Sequence, residues 1–296
     1  MKQPDVLHIT NGDSAVDVIR RAGLPGEVLP WRDVLHEGPV PPGLSLDELR
    51  PIRARFIAGA GWGELDDVLA GFAGRDIGAT RLGLVCGAEY LGASTRERLA
   101  ERLPERQEIS PAQLALGQTA WAAFRSPDPR PLAELLRQDT SALPFLGGAL
   151  RRHLQQFPSI RNGLSRSEAQ ALQAIARGVT RLGDVYIAAH HEREEAIFLG
   201  DLVFAWYVAE LSQGREPLVL KADGRPLAMP GETGGARAFW NSHVALTEVG
   251  RAILNERADR VEINGIDRWL GGVHLQGHAA RWRWHDAAQG LHGSAS

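Results

Sequence analysis

Cysteine, lysine and long apolar runs are scarce in this chain of 296 residues. Cys86 is the only cysteine, which excludes an intramolecular disulfide and a cysteine-rich zinc site and suits a reducing compartment. No run approaches the roughly 18 uninterrupted apolar residues of a membrane-spanning helix, and the first residues lack the hydrophobic stretch of a secretory signal. We therefore predict a cytoplasmic protein with no membrane contact.

An excess of positive charge is missing as well. The chain carries 33 Lys and Arg residues against 36 Asp and Glu residues, a net charge of −3. Proteins that bind duplex nucleic acid usually present a clearly basic face, because neutralising phosphates supplies most of their non-specific affinity. The composition therefore does not favour nucleic-acid binding, whereas 44% apolar and 23% charged residues are typical of a folded protein.

The length predicts two domains, since single domains commonly hold roughly 150 residues. A proline-rich break at 127–131 separates two halves of different pattern. We predict an α/β domain over 1–126, a helical connector over 127–163, and a winged-helix domain with a β-rich tail over 164–296.

Strands and helices alternate in the first domain. Short β-type runs lie at 6–9, 26–29 and 81–86. Helical patterns lie at 13–23, 45–73 and 94–103. Asp13 can cap the first helix, and Ser94 with Glu97 has capping-box spacing at the last. The alternation predicts a small parallel sheet with flanking helices, Rossmann-like or flavodoxin-like.

Three helices and a hairpin follow in the second domain. Helical patterns lie at 165–178, 182–190 and 201–213, and β-type runs at 217–221 and 243–246. Ser165 and Glu168 form a capping box, and Thr247 caps a last short helix that ends at Leu254. This order resembles the winged-helix family, and the resemblance implies a fold only. The tail predicts a strand at 261–263 and a β-hairpin whose strands, 273–276 and 281–285, flank a turn at 277–278.

The third helix of this domain differs from a DNA-reading helix, which offers basic and polar side chains to the major groove. Residues 201–213 contain no lysine or arginine and are apolar on most sides. We predict that this helix packs against a neighbouring domain, a protein partner or a second copy of the chain. The hairpin residues Lys221, Arg225 and Arg237 leave a contact with nucleic-acid phosphates open.

The loop after the first strand can bind an anion. Its residues combine hydroxyls, a carboxamide, a glycine and the N–H groups of a helix start: Thr10, Asn11, Gly12, Asp13 and Ser14. The Asp13 carboxylate would repel a bare phosphate unless a divalent cation bridges the two or Asp13 binds a ligand hydroxyl. A plain helix cap is the alternative interpretation.

The loop after the second strand gathers a cation, two carboxylates and an imidazole within six residues. We predict Asp33 or Glu37 as a base or metal ligand, His36 as an acid/base, and Arg32 as an anion clamp. In parallel sheets ligands bind beyond the carboxyl ends of the strands, where both loops lie. Asp13 and Asp33 are the candidate metal ligands. A helix cap at Asp33 with solvent-facing neighbours is the alternative.

A third candidate segment lies in the tail. Residues 264–274 are glycine-rich and polar, and Asn264, Asp267, Arg268 and His274 are candidate ligand-binding residues beside Trp269. The alternative interpretation is a turn at Asn264 and a surface pair of Asp267 with Arg268.

Residues 7–14 (LHITNGDS), 26–39 (GEVLPWRDVLHEGP) and 264–275 (NGIDRWLGGVHL) resemble a bacterial family named domain of unknown function 1835. The resemblance covers most of the chain and implies no settled activity. Members commonly have a Trp-Phe-Glu-His-Asp type of segment after the third strand, where this chain has residues 85–90 (VCGAEY). Glu89 is the acid that could replace the one in that segment.

Two functional hypotheses remain open. In the first, the N-terminal loops bind a phosphate-bearing or nucleotide-like ligand, with metal-assisted phosphoester chemistry of a hydrolase or transferase. In the second, the protein is a regulatory or interaction protein whose winged helix docks nucleic acid or a protein partner.

Overall fold

The computed structural model describes residues 6–11, 13–31, 76, 78–85, 94–196, 198–228 and 235–293. The chain divides into two compact units. Unit 1 comprises Met1–Gly147 with Gly271–Val273, and unit 2 comprises Gly148–Leu270 with His274–Ser296. Helices and several two-stranded sheets make up the described residues, so the protein is of mixed α/β class.

Unit 1 opens with a strand, a helix and a second strand, which are β1 Leu7–Asn11, α1 Asp13–Arg21 and β2 Glu27–Trp31. β1 and β2 pair in parallel, with Leu7 opposite Glu27 and Asn11 opposite Trp31. Parallel neighbours need a crossover connection, and α1 supplies it. The predicted parallel sheet is therefore present in the described residues as one pair of strands.

The apolar face of α1 explains why this crossover is stable. Val18 and Ile19 are buried against Leu99, and the partly buried Ala22 and Leu24, just after α1, and Val28 of β2 pack against them. Asp17 lies on the opposite, exposed face. Gly23, at φ +65°, closes the helix by donating its N–H to the carbonyl of Arg20.

The rest of unit 1 contains β3 Gly83–Leu84, α2 Arg96–Arg102, β4 Gln107–Glu108, α3 Pro111–Phe124 and α4 Arg130–Leu135. The predicted third strand is observed only at β3, and it pairs antiparallel with β4. The predicted cap of α2 was wrong by one residue, because Thr95 and not Ser94 has the extended backbone and accepts the N–H of Arg98.

The sequence analysis missed α3, the longest helix among the described residues of unit 1. Its start carries a capping box: the Ser110 hydroxyl accepts the N–H of Gln113, and the Gln113 side chain accepts the N–H of Ser110. Pro111 occupies the first helical position, where its missing N–H costs nothing. Both the capping-box spacing and the proline can be read from the sequence.

The elements of unit 2 follow in the order α5 Leu146–Leu154, α6 Arg166–Ala176, α7 Leu182–Tyr186, α8 Asp201–Leu211, β5 Val219–Lys221, α9 Gly235–Trp240, β6 Val244–Leu246, α10 Glu248–Leu254, α11 Arg260–Asn264, β7 Ile266–Leu270, β8 Val273–Gly277, β9 Trp282–His285 and β10 Gly290–Gly293. α5 begins in the last residues of unit 1. No helix among the described residues is both long and apolar enough to cross a membrane.

Helices α6, α7 and α8 form the core of unit 2 with a hairpin. β5 and β6 pair antiparallel, and Arg181, just before α7, makes a bridge with His243 beside β6. α7 ends at Tyr186 and passes into a wide helical turn over Ile187–His191, where a helix to His190 was predicted. The capping box at Ser165 and Glu168 and the cap at Thr247 are as predicted.

The tail differs from its prediction. Residues 261–263 lie in α11 instead of a strand, because the Asp259 carboxylate accepts the N–H groups of Val261 and Glu262 and starts a helix. β8 pairs with β7 across the turn at 271–272. β9 pairs antiparallel with β10 and not with β8, so the predicted hairpin partner was wrong.

Replacing either of two helical glycines with alanine should have opposite effects on stability. A Cβ on Gly250, in α10, would lie 2.2 Å from the carbonyl oxygen of Leu218, whereas a Cβ on Gly148, in α5, would meet nothing within 4 Å. Gly250→Ala should lower the free energy of unfolding by about 1–3 kcal/mol through overpacking. Gly148→Ala should leave it unchanged or raise it by up to about 1 kcal/mol through helix propensity. Denaturant unfolding checks both, and equal effects would contradict the packing described here.

Candidate functional site

Most of the predicted N-terminal site residues lie outside the described residues. These are Gly12, Arg32, Asp33, His36 and Glu37, together with Glu89. For Asn11, Asp13 and Ser14 the structure describes the backbone only: Asn11 ends β1, and the other two begin α1. Their predicted roles stay predictions.

Thr10 is the one residue of the first loop whose side chain is described. It is 6% exposed, and its hydroxyl has no hydrogen-bond partner among the described residues. A buried hydroxyl without a partner costs roughly 1–3 kcal/mol, so this position carries a cost that a hydrogen-bonding ligand would remove. Thr10 stands opposite Pro30 in the parallel pair, next to the ends of both strands.

A cleft of about 350 Å³ lies in unit 2. Its polar lining comes from the end of α8, from α11, and from the start of β7 and the end of β8: Glu210, Gln213, Arg260, Asn264, Asp267, Arg268 and His278. Ligand pockets commonly start near 300 Å³, so the space fits a small molecule or part of a larger one.

A buried carboxylate stands behind the cleft. Glu168 is 1% exposed, and its two oxygens have different partners. Oε2 accepts the N–H of Ser165 at 2.7 Å and so caps α6, while Oε1 lies 2.9 Å from Nη2 of Arg268 and 3.4 Å from Nε of Arg260. Burial alone would raise the pKa of Glu168, but Arg268 and Arg260 and the capping bond lower it to about 2.

The two arginines connect this carboxylate to the cleft. Arg268 also contacts Oε2 of Glu210 at 2.5 Å, and its guanidinium lies 4.3 Å from the centre of the Tyr207 ring. Arg260 donates from Nη1 to the carbonyl of Gly265 at 3.3 Å. The charges alternate along Arg260, Glu168, Arg268 and Glu210, so each nearly buried guanidinium lies beside a carboxylate.

The structure brings three of the four predicted tail residues to the cleft, but they differ in what they contact. Asn264 exchanges two hydrogen bonds with the backbone of Glu216, at 2.8 and 2.9 Å, and so holds the chain before β5. The predicted surface pair of Asp267 with Arg268 does not form: Asp267 instead contacts Nε2 of His274 at 2.6 Å. His274 is not a lining residue and stacks on Trp269, with ring centres 4.3 Å apart.

Sequence analysis missed Arg260, Glu210, Gln213 and His278 as lining residues. Alternation along β7 offered one signal, since Ile266 and Arg268 face inward and Asp267 outward. An arginine on the inward face of a strand needs a buried partner. The residues near Arg268 in the sequence do not identify that partner, because Glu168 lies 100 residues away.

A second buried polar cluster joins α5 to the segment after α7. Arg152 donates to Oε1 of Glu194 at 2.7 and 2.9 Å and to Ser167 at 2.7 Å. His190 is 1% exposed and accepts the N–H groups of Phe198 and Leu199 through Nε2. Burial lowers the pKa of His190 to about 4. Within the described part of the chain no group of three or more His, Cys, Asp and Glu side chains could hold a metal ion.

Comparison with known proteins found no family model and no curated protein that matches this chain.

The lowered pKa of His190 predicts how stability changes with pH. Above about pH 6.5 the ring is neutral in both states, and below it the unfolded chain takes up a proton that the folded state refuses down to about pH 4. Stability should therefore fall as the pH drops through this window, with His153, whose pKa burial also lowers to about 4, adding to the loss.

His190→Gln should reduce that pH dependence by up to one proton, about 1.4 kcal/mol per pH unit, in unfolding experiments between pH 6.5 and 4. His191→Gln is the matched control, because His191 is adjacent and exposed. An equal reduction in both variants would contradict the assignment.

Proposed function

We propose that the N-terminal part of unit 1 binds a phosphate-bearing, nucleotide-like ligand at the edge where β1 and β2 end. The observation that supports this most is the parallel pairing of β1 with β2 across α1. In such a unit the helix start and the ends of both strands share one edge, and the N–H groups of the helix start favour an anion. A Rossmann-like or flavodoxin-like arrangement is part of the proposal.

The chemistry proposed for this edge follows from the two loops. Thr10, Asn11, Gly12 and Ser14 bind the ligand's polar groups, and Arg32 clamps its phosphate. Asp13 and Asp33 hold a divalent cation, with Asp33 or Glu37 as the base and His36 as the acid in phosphoester hydrolysis or transfer. The buried hydroxyl of Thr10 supports a ligand at this edge, because a hydrogen bond from the ligand would offset its burial cost.

Thr10→Val tests this proposal, since valine keeps the shape and removes the hydroxyl. Without ligand the variant should be as stable as wild type or slightly more stable, because the buried polar group is gone. In a thermal-shift screen of nucleotides with Mg²⁺ or Mn²⁺, the wild-type protein should gain stability, and Thr10→Val and Asp33→Ala should each lose most of that gain.

Thr119→Val is the control, because its hydroxyl bonds to the Ala115 carbonyl on an exposed helix face. It should keep the full ligand shift. No shift in the wild-type protein with any nucleotide and cation would overturn the proposal, as would shifts in Thr10→Val and Asp33→Ala that are as large as the wild-type shift.

We propose as a second function that residues 164–254 form a winged helix that serves as a packing module and does not read DNA. α8, the third helix, supports this because seven of its eleven residues are buried, among them Phe204 and Tyr207. Two of the three basic hairpin residues, Lys221 and Arg225, are also paired: Arg225 contacts Asp223 at 2.6 Å and Lys221 lies 3.9 Å from it. Trp206, on the exposed side of α8, is then the residue that would touch a protein partner or a second copy.

Fluorescence anisotropy with a labelled DNA duplex at low salt tests this second proposal. No saturable binding should appear below the micromolar range, where non-specific binders at low salt are readily detected. Saturable binding that is weakened in the double variant Lys221→Ala/Arg225→Ala would contradict the proposal. Trp206→Ala should show the same absence of DNA binding as the wild-type protein.

A further inference from the structure

We propose that the cleft of unit 2 is an anion-binding site in which Arg260 and Arg268 hold a phosphate or carboxylate group, and in which Glu210 takes the place of that group when no ligand is bound. This site lies in unit 2 and is independent of the function proposed for the N-terminal loops. Phosphate and carboxylate ligands share the feature that this site requires, a small anionic group with two or more oxygen atoms.

The first argument is charge. Arg260 and Arg268 are 8% and 5% exposed, and both contact one oxygen of the same buried carboxylate, Glu168. Two guanidinium groups share this one buried carboxylate, and Glu210 supplies the second negative charge through Arg268. An anion in the cleft could supply that second charge in place of Glu210, because a buried charge is stable only when it is paired.

The second argument is the residue that now supplies this balance. The Glu210 side chain is 40% exposed, yet it holds Oε2 at 2.5 Å from Nη2 of Arg268. Because water reaches the Glu210 carboxylate, turning it out to solvent costs less than moving a fully buried carboxylate. A ligand oxygen can therefore replace the Glu210 carboxylate at small cost, while Glu210 turns to solvent.

The third argument is the arrangement around Gly265. Arg260 donates to the Gly265 carbonyl, and a Cβ built on Gly265 would lie 3.4 Å from Nε2 of His278. Nδ1 of His278 lies 3.0 Å from the carbonyl of Glu262 and must donate to it, because a carbonyl only accepts. His278 lines the cleft, and its Nε2 can donate to an anion when the ring is protonated.

Gly265 keeps this space open. Its backbone has φ +73° and ψ −179°, a conformation that is essentially restricted to glycine. A side chain at this position would add atoms on the floor of the cleft. The other carboxylate of the lining, Asp267, is 71% exposed, so water weakens its repulsion of an anion.

Isothermal titration of the full chain with three probes tests the proposal: inorganic phosphate, succinate and adenosine monophosphate. Glu210→Gln removes the competing carboxylate and should bind the preferred probe about fivefold more tightly than wild type, as expected for one charge at close range in a partly solvated site. Glu262→Gln is the matched control, an exposed carboxylate of α11 outside the cleft lining, and should bind as wild type does.

Arg260→Gln and His278→Ala should each weaken binding of the same probe. His278 is exposed, so its variant remains informative if Arg260→Gln fails to fold. The probe that binds most tightly identifies the ligand group as phosphate, carboxylate or nucleotide. Equal affinities in Glu210→Gln and Glu262→Gln would overturn the proposal, as would the absence of saturable binding of all three probes in Glu210→Gln.

Discussion

The arrangement of unit 2 depends on the contacts of one buried carboxylate, that of Glu168. One oxygen caps the start of α6 through the N–H of Ser165, and the other receives Arg268 from β7 and Arg260 from α11. A buried carboxylate would be protonated or excluded without such partners, and removing one partner of a buried pair typically costs 3–5 kcal/mol. A helix, a strand and a short helix that lie far apart in the sequence are therefore fixed to each other by one side chain.

This constraint also produces the cleft. Because Arg260 and Arg268 must reach Glu168, α11 and β7 present their facing sides to the end of α8, and Gly265 lies between them. Asn264 holds the neighbouring chain by bonding the Glu216 backbone. The two arginines that line this cleft are held in place by Glu168 itself, so their positions do not depend on any further partner.

Local signals made part of this architecture predictable. The strand, helix and strand at the N-terminus, the capping box at Ser165 and the cap at Thr247 follow from short-range patterns, and the structure confirms them. Long-range pairing did not follow. The β-type runs of the tail predicted strands, but neither the partners of β8 and β9 nor the helix that Asp259 starts could be derived from hydropathy alone. The sequence singled out Arg268 and Asn264, while their roles depend on Glu168 and Glu216, 100 and 48 residues away.

A double-mutant cycle between Glu168 and Arg268 tests the central role of this carboxylate most directly. Glu168→Gln, Arg268→Met and the double variant would be compared with wild type in equilibrium denaturant unfolding at pH 7. The account predicts that each single change lowers the free energy of unfolding by roughly 3 kcal/mol or more. The loss in the double variant should be smaller than the sum of the two single losses by at least about 1 kcal/mol. Additive losses, or single losses below about 1 kcal/mol, would contradict it.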